Sequence, residues 1–111
     1  MTPTVPAGSE KGARVSYAPS ASESDIISAA AVKAGENPGT WLRFVVTRAA
    51  ATGEKLKRPA TADEPRGEPR AIRVTSAHRA AIEKAAKDAD LGLSEYVIAA
   101  ALAEARRLGV K

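Results

Sequence analysis

Val15 and Tyr17 alternate with Arg14 and Ser16, and further on Ile72 and Val74 alternate with Ala71, Arg73 and Thr75. Each alternation predicts a short strand with one apolar face. After each strand the period changes to that of a helix. Ile27, Ala30, Ala31 and Ala34 fall at helical spacing behind Ser22 or Ser24 as N-cap, and Ile82, Ala85, Ala86 and Ala89 do so behind Thr75 or Ser76. "GENPG" turns the chain after the first of these helices, and Gly92 ends the second. A further helix then follows in each half. One carries Leu42, Val45 and Val46 behind Thr40 as cap, and the other carries Tyr96, Val97, Ala100, Ala101 and Leu108 behind Ser94 and runs to Gly109.

Strand, helix, tight turn, helix therefore occurs twice, as in an internal repeat. The offset is 57 at the strands (Val15 to Ile72), 55 at the first helices (Ile27 to Ile82) and 54 at the second caps (Thr40 to Ser94). This drift calls for two extra residues near Pro19 and one in the first turn, both at loops, where insertions are tolerated. Residues 1–12 hold Pro3, Pro6, Gly8 and Gly12 with almost no bulky apolar side chain, which predicts a flexible tail. Residues 53–69 carry Pro59, Pro65 and Pro69 with balanced charge and one large apolar residue, Leu56, which predicts an extended linker. Between them lie the two structured units, 13–52 and 70–111.

A lone five-residue strand leaves its backbone groups without partners, so the two strands are expected to pair antiparallel within one chain, with pairing between chains as the alternative. The fold class is then mainly α with a short two-stranded β-ribbon. Its apolar face rests on the helices, and its other face offers Arg14 and Ser16 from one strand and Ala71, Arg73 and Thr75 from the other. A two-stranded ribbon fits the major groove of B-DNA, where arginine can hold guanine by two hydrogen bonds and Ser or Thr can bond several base edges. The free N–H groups at the starts of the second helices, at Thr40 and Ser94, favour an anion and could grip a phosphate on each side. Glu95 would repel that phosphate unless it points away.

Composition narrows the alternatives. The 111 residues contain no cysteine, which removes disulfides, thiolate ligands and a thiol nucleophile and fits a reducing, cytoplasmic setting. No apolar run reaches the roughly 20 residues of a spanning helix. The N-terminal sequence has no apolar core after a basic start, so it does not read as a signal peptide. The net charge is +4, and residues 70–111 hold eight basic side chains against five acidic ones, a balance that suits nucleic acid. His78, the sole histidine, sits at a helix start beside Arg79 and reads as an exposed side chain. Trp41 and Phe44 read as core or interface residues. No histidine–carboxylate cluster, glycine-rich phosphate loop or metal-ligand spacing is present, so no enzyme activity, metal or cofactor is expected.

The stretch "IRVTSAHRAAIEKAAKDADLGLSEYVIAAAL" resembles the ribbon-helix-helix family of Arc/MetJ-like DNA-binding proteins, in which strand, helix, small turn and Ser-capped helix come in this order. Residues 13–52, with "GTWLRFVVTRAA", resemble a second, more diverged copy, so the resemblance implies two ribbon-helix-helix copies in one chain. Within the family the chain is similar to antitoxin repressors and to plasmid-mobilisation accessory proteins of relaxosomes. The resemblance implies sequence-specific binding of double-stranded DNA. Arg73, Ala71, Thr75, Arg14 and Ser16 would face the bases, and Ser94 and Thr40, with Arg70 and Lys11, the phosphates. Ala71 is a poor reader of bases, and Pro69 cannot donate to a strand ladder. Repression of transcription or service in a relaxosome is the expected role, with a relaxase or a toxin as the protein partner and self-association open. The alternative is an antitoxin or other interaction module that neutralises a partner protein.

Overall fold

The computed structural model describes residues 13–110, so the expected N-terminal tail, with Lys11, lies outside the described residues. The elements are strand β1 (Ala13–Tyr17), helices α1 (Ala21–Ala34) and α2 (Pro38–Thr52), strand β2 (Arg70–Val74), and helices α3 (Ser76–Asp88) and α4 (Leu93–Arg107). β1 and β2 form a two-stranded antiparallel sheet in the register Ala13↔Val74, Arg14↔Arg73, Val15↔Ile72, Ser16↔Ala71 and Tyr17↔Arg70. The alternation sets this arrangement. Val15, Tyr17, Ile72 and Val74 are buried on one face, while Arg14, Ser16, Ala71 and Arg73 are exposed on the other. No described helix is long and apolar enough to cross a membrane.

Two strands alone are marginal in water, and the helices supply what holds them. α4 packs against β1 and α2 against β2, so each strand rests on the second helix of the other half. The core beneath the ribbon contains Leu42, Val45, Val46, Ile82, Val97 and Ile98, together with Ala30, Ala31, Ala86, Ala100, Ala101 and Ala105. Alanines let the helix axes approach closely. The larger side chains contribute most of the burial energy, about 1.5–3 kcal/mol each when fully covered. Tyr96 is fully buried, and its hydroxyl finds no hydrogen-bond partner among the described residues. An unpaired buried hydroxyl costs on the order of 1–3 kcal/mol, so Tyr96→Phe is expected to raise stability by about 1 kcal/mol. A lowered urea midpoint for this variant would show that the hydroxyl is satisfied.

Several helix ends differ from the sequence expectation. α1 is capped by Ser20 instead of Ser22 or Ser24: its side chain accepts from the Glu23 N–H at 3.2 Å, and the Ser20 N–H donates to Glu23 Oε1 at 2.8 Å. This reciprocal capping box satisfies two N–H groups at once, which a serine inside the first turn cannot do. α3 is capped by Thr75. α2 begins at Pro38 behind Asn37, whose Oδ1 accepts from the Thr40 N–H at 2.8 Å, and α4 begins behind Gly92. Thr40 and Ser94 are therefore inside their helices, and neither is a cap. Proline at the first helical position needs no N–H partner, so Asn37-Pro38 starts the helix earlier than the Thr40 signal suggests. Likewise α3 ends at Asp88, and Gly92 opens α4 instead of closing α3.

With the caps placed, the helix–turn–helix offset is 55 throughout: Ser20 to Thr75 and Asn37 to Gly92. The turn bonds follow the same offset, with Glu36 N–H to Ala31 O answered by Leu91 N–H to Ala86 O. The extra residue expected in the first turn does not exist, whereas the two extra residues near Pro19 do. At the turn, Gly35 and Asp90 both take left-handed backbone, φ 77° and 60°, a conformation that glycine adopts freely and aspartate tolerates.

Residues 54–69 form neither helix nor strand but fold back across the junction between β1 and α1. Leu56 packs against the core. The Gly67 N–H donates to Pro19 O at 2.9 Å, and a Cβ at Gly67 would stand 2.7 Å from that same oxygen, so only glycine allows the approach. Glu23 is 0% exposed and anchors the rest. Arg66 Nη1 donates to Glu23 Oε1 at 2.9 Å and to Ala18 O at 3.1 Å, Arg66 Nη2 donates to Thr61 O at 2.8 Å, and the Thr61 hydroxyl donates to Glu23 Oε2. A buried carboxylate is tolerated here because its oxygens are met by N–H, O–H and guanidinium donors.

Candidate nucleic-acid interface

The outer face of the ribbon is built from four side chains in two cross-strand pairs. Arg14 faces Arg73 at one end, and Ser16 faces Ala71 at the other. All four are exposed. Neither Arg14 nor Arg73 takes part in an ion pair among the described residues. Like charges directly opposite on a ribbon are destabilising, so this pair does nothing for the fold. Thr75 lies just beyond β2, and its hydroxyl oxygen already accepts the His78 N–H at 3.0 Å as the cap of α3. Its first duty is therefore structural.

The flanks of the ribbon differ. Beside Arg73 is a shallow recess of about 260 Å³ lined by Arg43, Phe44, Thr47, Arg73, Val74, Thr75 and His78, with no carboxylate among them. Phe44 is 66% exposed, while Trp41, expected to behave like it, is buried. The signal was in the helical period. Trp41 falls on the apolar stripe set by Leu42, Val45, Val46 and Ala49, and Phe44 falls off it. Arg43 was not singled out by the sequence, because a lone arginine inside a helix carries no local signature.

At the other end, the Ser94 side-chain oxygen accepts the Ala18 N–H at 3.1 Å, tying α4 to the end of β1. Arg70, opposite Tyr17, is exposed at this same end. Burial pushes the Tyr17 phenol up, partly offset by the neighbouring Arg70 guanidinium, so the tyrosine stays neutral. The Glu95 carboxylate does not point away from the helix start: its Oε1 accepts the Gly92 N–H at 3.0 Å, and its Oε2 accepts from Arg58 Nε at 3.0 Å. The Gly92 N–H first, and then Arg58, hold this carboxyl below its ordinary range, so it is ionised at neutral pH. An anion approaching the start of α4 meets that charge. The start of α2 has no acidic side chain in its first turn, and Thr40 there is half-buried. The two helix starts expected to behave alike thus differ in charge.

Comparison with known proteins adds no relative: no family model, no curated protein and no solved structure matches the chain.

Proposed function

We propose that the chain is a single-chain pair of ribbon-helix-helix units that binds double-stranded DNA, laying the outer face of β1 and β2 in the major groove. The observation that carries this reading is the pair Arg14 and Arg73, exposed side by side on a short ribbon whose other face is fully committed to the core. Arginine's planar fork matches the O6 and N7 acceptors of guanine, and a two-stranded ribbon has the width to enter the groove. Ser16 reads base edges less selectively, and Ala71 offers only a methyl group. Arg70 and Arg43, exposed or half-exposed beside the ribbon, are suited to backbone phosphates. The roles in view are transcriptional repression and accessory service at a plasmid transfer origin, where the bound protein recruits or excludes other machinery.

The test is a gel shift of the full chain against duplex DNA from its own locus across a salt series. Counterion release makes log affinity fall linearly with log salt, and about four to six phosphate contacts give a slope near −4 to −5. No shift at low salt, or equal affinity at all salt concentrations, removes the proposal. Footprints divide the two roles: protection over a promoter favours repression, and protection beside a nick site favours mobilisation.

A further inference from the structure

The ribbon's two ends are chemically unequal, and the inequality follows from register. If the repeat offset of 57 related the two strands perfectly, Arg14 would correspond to Ala71 and Ser16 to Arg73. A symmetric ribbon would carry one arginine at each end. Because Ala71 replaces the arginine expected opposite Ser16, and Ser16 replaces the one expected to answer Arg73, both guanidinium groups stand at the same end. The surroundings reinforce the difference. The arginine end gathers Arg14, Arg43, Arg73 and Arg79, with Glu83 paired to Arg79 at 3.1 Å and Glu36 sharing a recess with Arg43. The far end gathers Arg58, Arg66 and Arg70 against Glu23, Asp63, Glu64 and Glu95.

Resting on the DNA-binding reading, we infer that the chain binds its duplex in one orientation, with Arg14 and Arg73 both on guanines at the same side of the site. Antiparallel strands lie about 4.8 Å apart, against about 3.4 Å between stacked bases, so the two arginines reach guanines one or two base pairs apart on either DNA strand. Ser16 and Ala71 stand two residues along the ribbon, roughly 7 Å or two base pairs away, and discriminate weakly there. Glu95 repels phosphates from the start of α4, leaving Arg70 as the phosphate contact on that flank, while the first turn of α2 carries no acidic side chain. The ligand class is therefore a non-palindromic duplex with G·C pairs to one side of its centre.

Selection from a random duplex pool with the full chain tests this, followed by directional cleavage. The chain has no native cysteine, so an iron chelate can be placed at one position only, through His78→Cys at the arginine end or Glu68→Cys near the far end. The expected result is a motif with guanines on one side only, cut from the guanine side by the His78→Cys probe and from the opposite side by the Glu68→Cys probe. Single base-pair changes at those guanines lower affinity roughly 5- to 150-fold, against little change on the other side. A palindromic motif, or both probes cutting both sides equally, overturns the orientation while leaving DNA binding intact. Recovery of no bound duplex overturns the DNA-binding reading itself and the orientation with it.

Discussion

Replacing Arg14 and Arg73 together by alanine is expected to lower affinity for the selected duplex by about 2–6 kcal/mol, since one arginine–guanine pair discriminates by about 1–3 kcal/mol. The two residues are cross-strand neighbours, so the double change will depart from the sum of the single ones. Each single substitution should flatten sequence preference at one base pair while leaving the helical circular dichroism signal unchanged, because neither side chain touches the core. Removing facing like charges should, if anything, raise the melting temperature slightly. Fluorescence anisotropy with specific and scrambled duplexes reads the effect. Specific affinity unchanged in the double variant would remove the ribbon from the interface.

Glu23→Ala is expected to cost about 3 kcal/mol of stability, at the lower end for a broken buried ion pair because Arg66 retains some access to water. The substitution removes the carboxylate that meets the Ser20 N–H, the Thr61 hydroxyl and Arg66 together. The side-chain half of the α1 capping box and the carboxylate's hold on Thr61 and Arg66 are lost at once, while the Ser20 side chain still accepts the N–H of residue 23. For a domain of this size about 3 kcal/mol corresponds to a melting-temperature fall on the order of 12 °C. Glu23→Gln keeps the shape but not the charge, and should lie between the two. Acid pH gives an independent view of the same region. The hydroxyls of Ser22 and then Ser20 hold the Glu64 carboxyl below its ordinary range, so its contribution is present at neutral pH and is lost as the pH falls through that lowered value. A thermal melt of Glu23→Ala coinciding with the unsubstituted chain would refute this account of the junction.

The elements and their pairing were legible because both depend on periodicity. Alternation over Val15–Tyr17 and Ile72–Val74 marks two one-sided strands, and neither could persist without the other. Helix ends were less legible. Serine and threonine are common inside first turns, and choosing Ser20 over Ser22, or Asn37 over Thr40, required knowing where the chain enters the helix. The turn glycine was misassigned for a related reason: Asp90 takes the left-handed position in α3–α4 that Gly35 takes in α1–α2, which frees Gly92 to open the next helix. The folded-back path of residues 54–69 was hidden because its bonds join Arg66 and Gly67 to residues 43 and 48 positions away. Of the site, Thr75 shares the outward parity but lies beyond β2 as the cap of α3, whereas Arg14, Ser16, Ala71 and Arg73 followed from strand parity alone. Their arrangement into an arginine end and a neutral end depended on the register, which places Arg14 across from Arg73 and which no local pattern encodes.

Joining both strands in one chain changes how the ribbon answers to dilution. A ribbon made by two separate molecules exists only as far as they associate, so its occupancy of any ligand rises with the square of concentration when protein is scarce. Here β2 returns to β1 along residues 53–69, and each strand lies on the other half's second helix. The tether keeps the partners at an effective concentration on the order of millimolar, whatever the number of molecules present. The ribbon's outer face is therefore complete in a single copy. On the proposed DNA-binding reading, occupancy by a single copy is expected to follow a plain hyperbola in protein concentration, which a binding titration across dilutions checks.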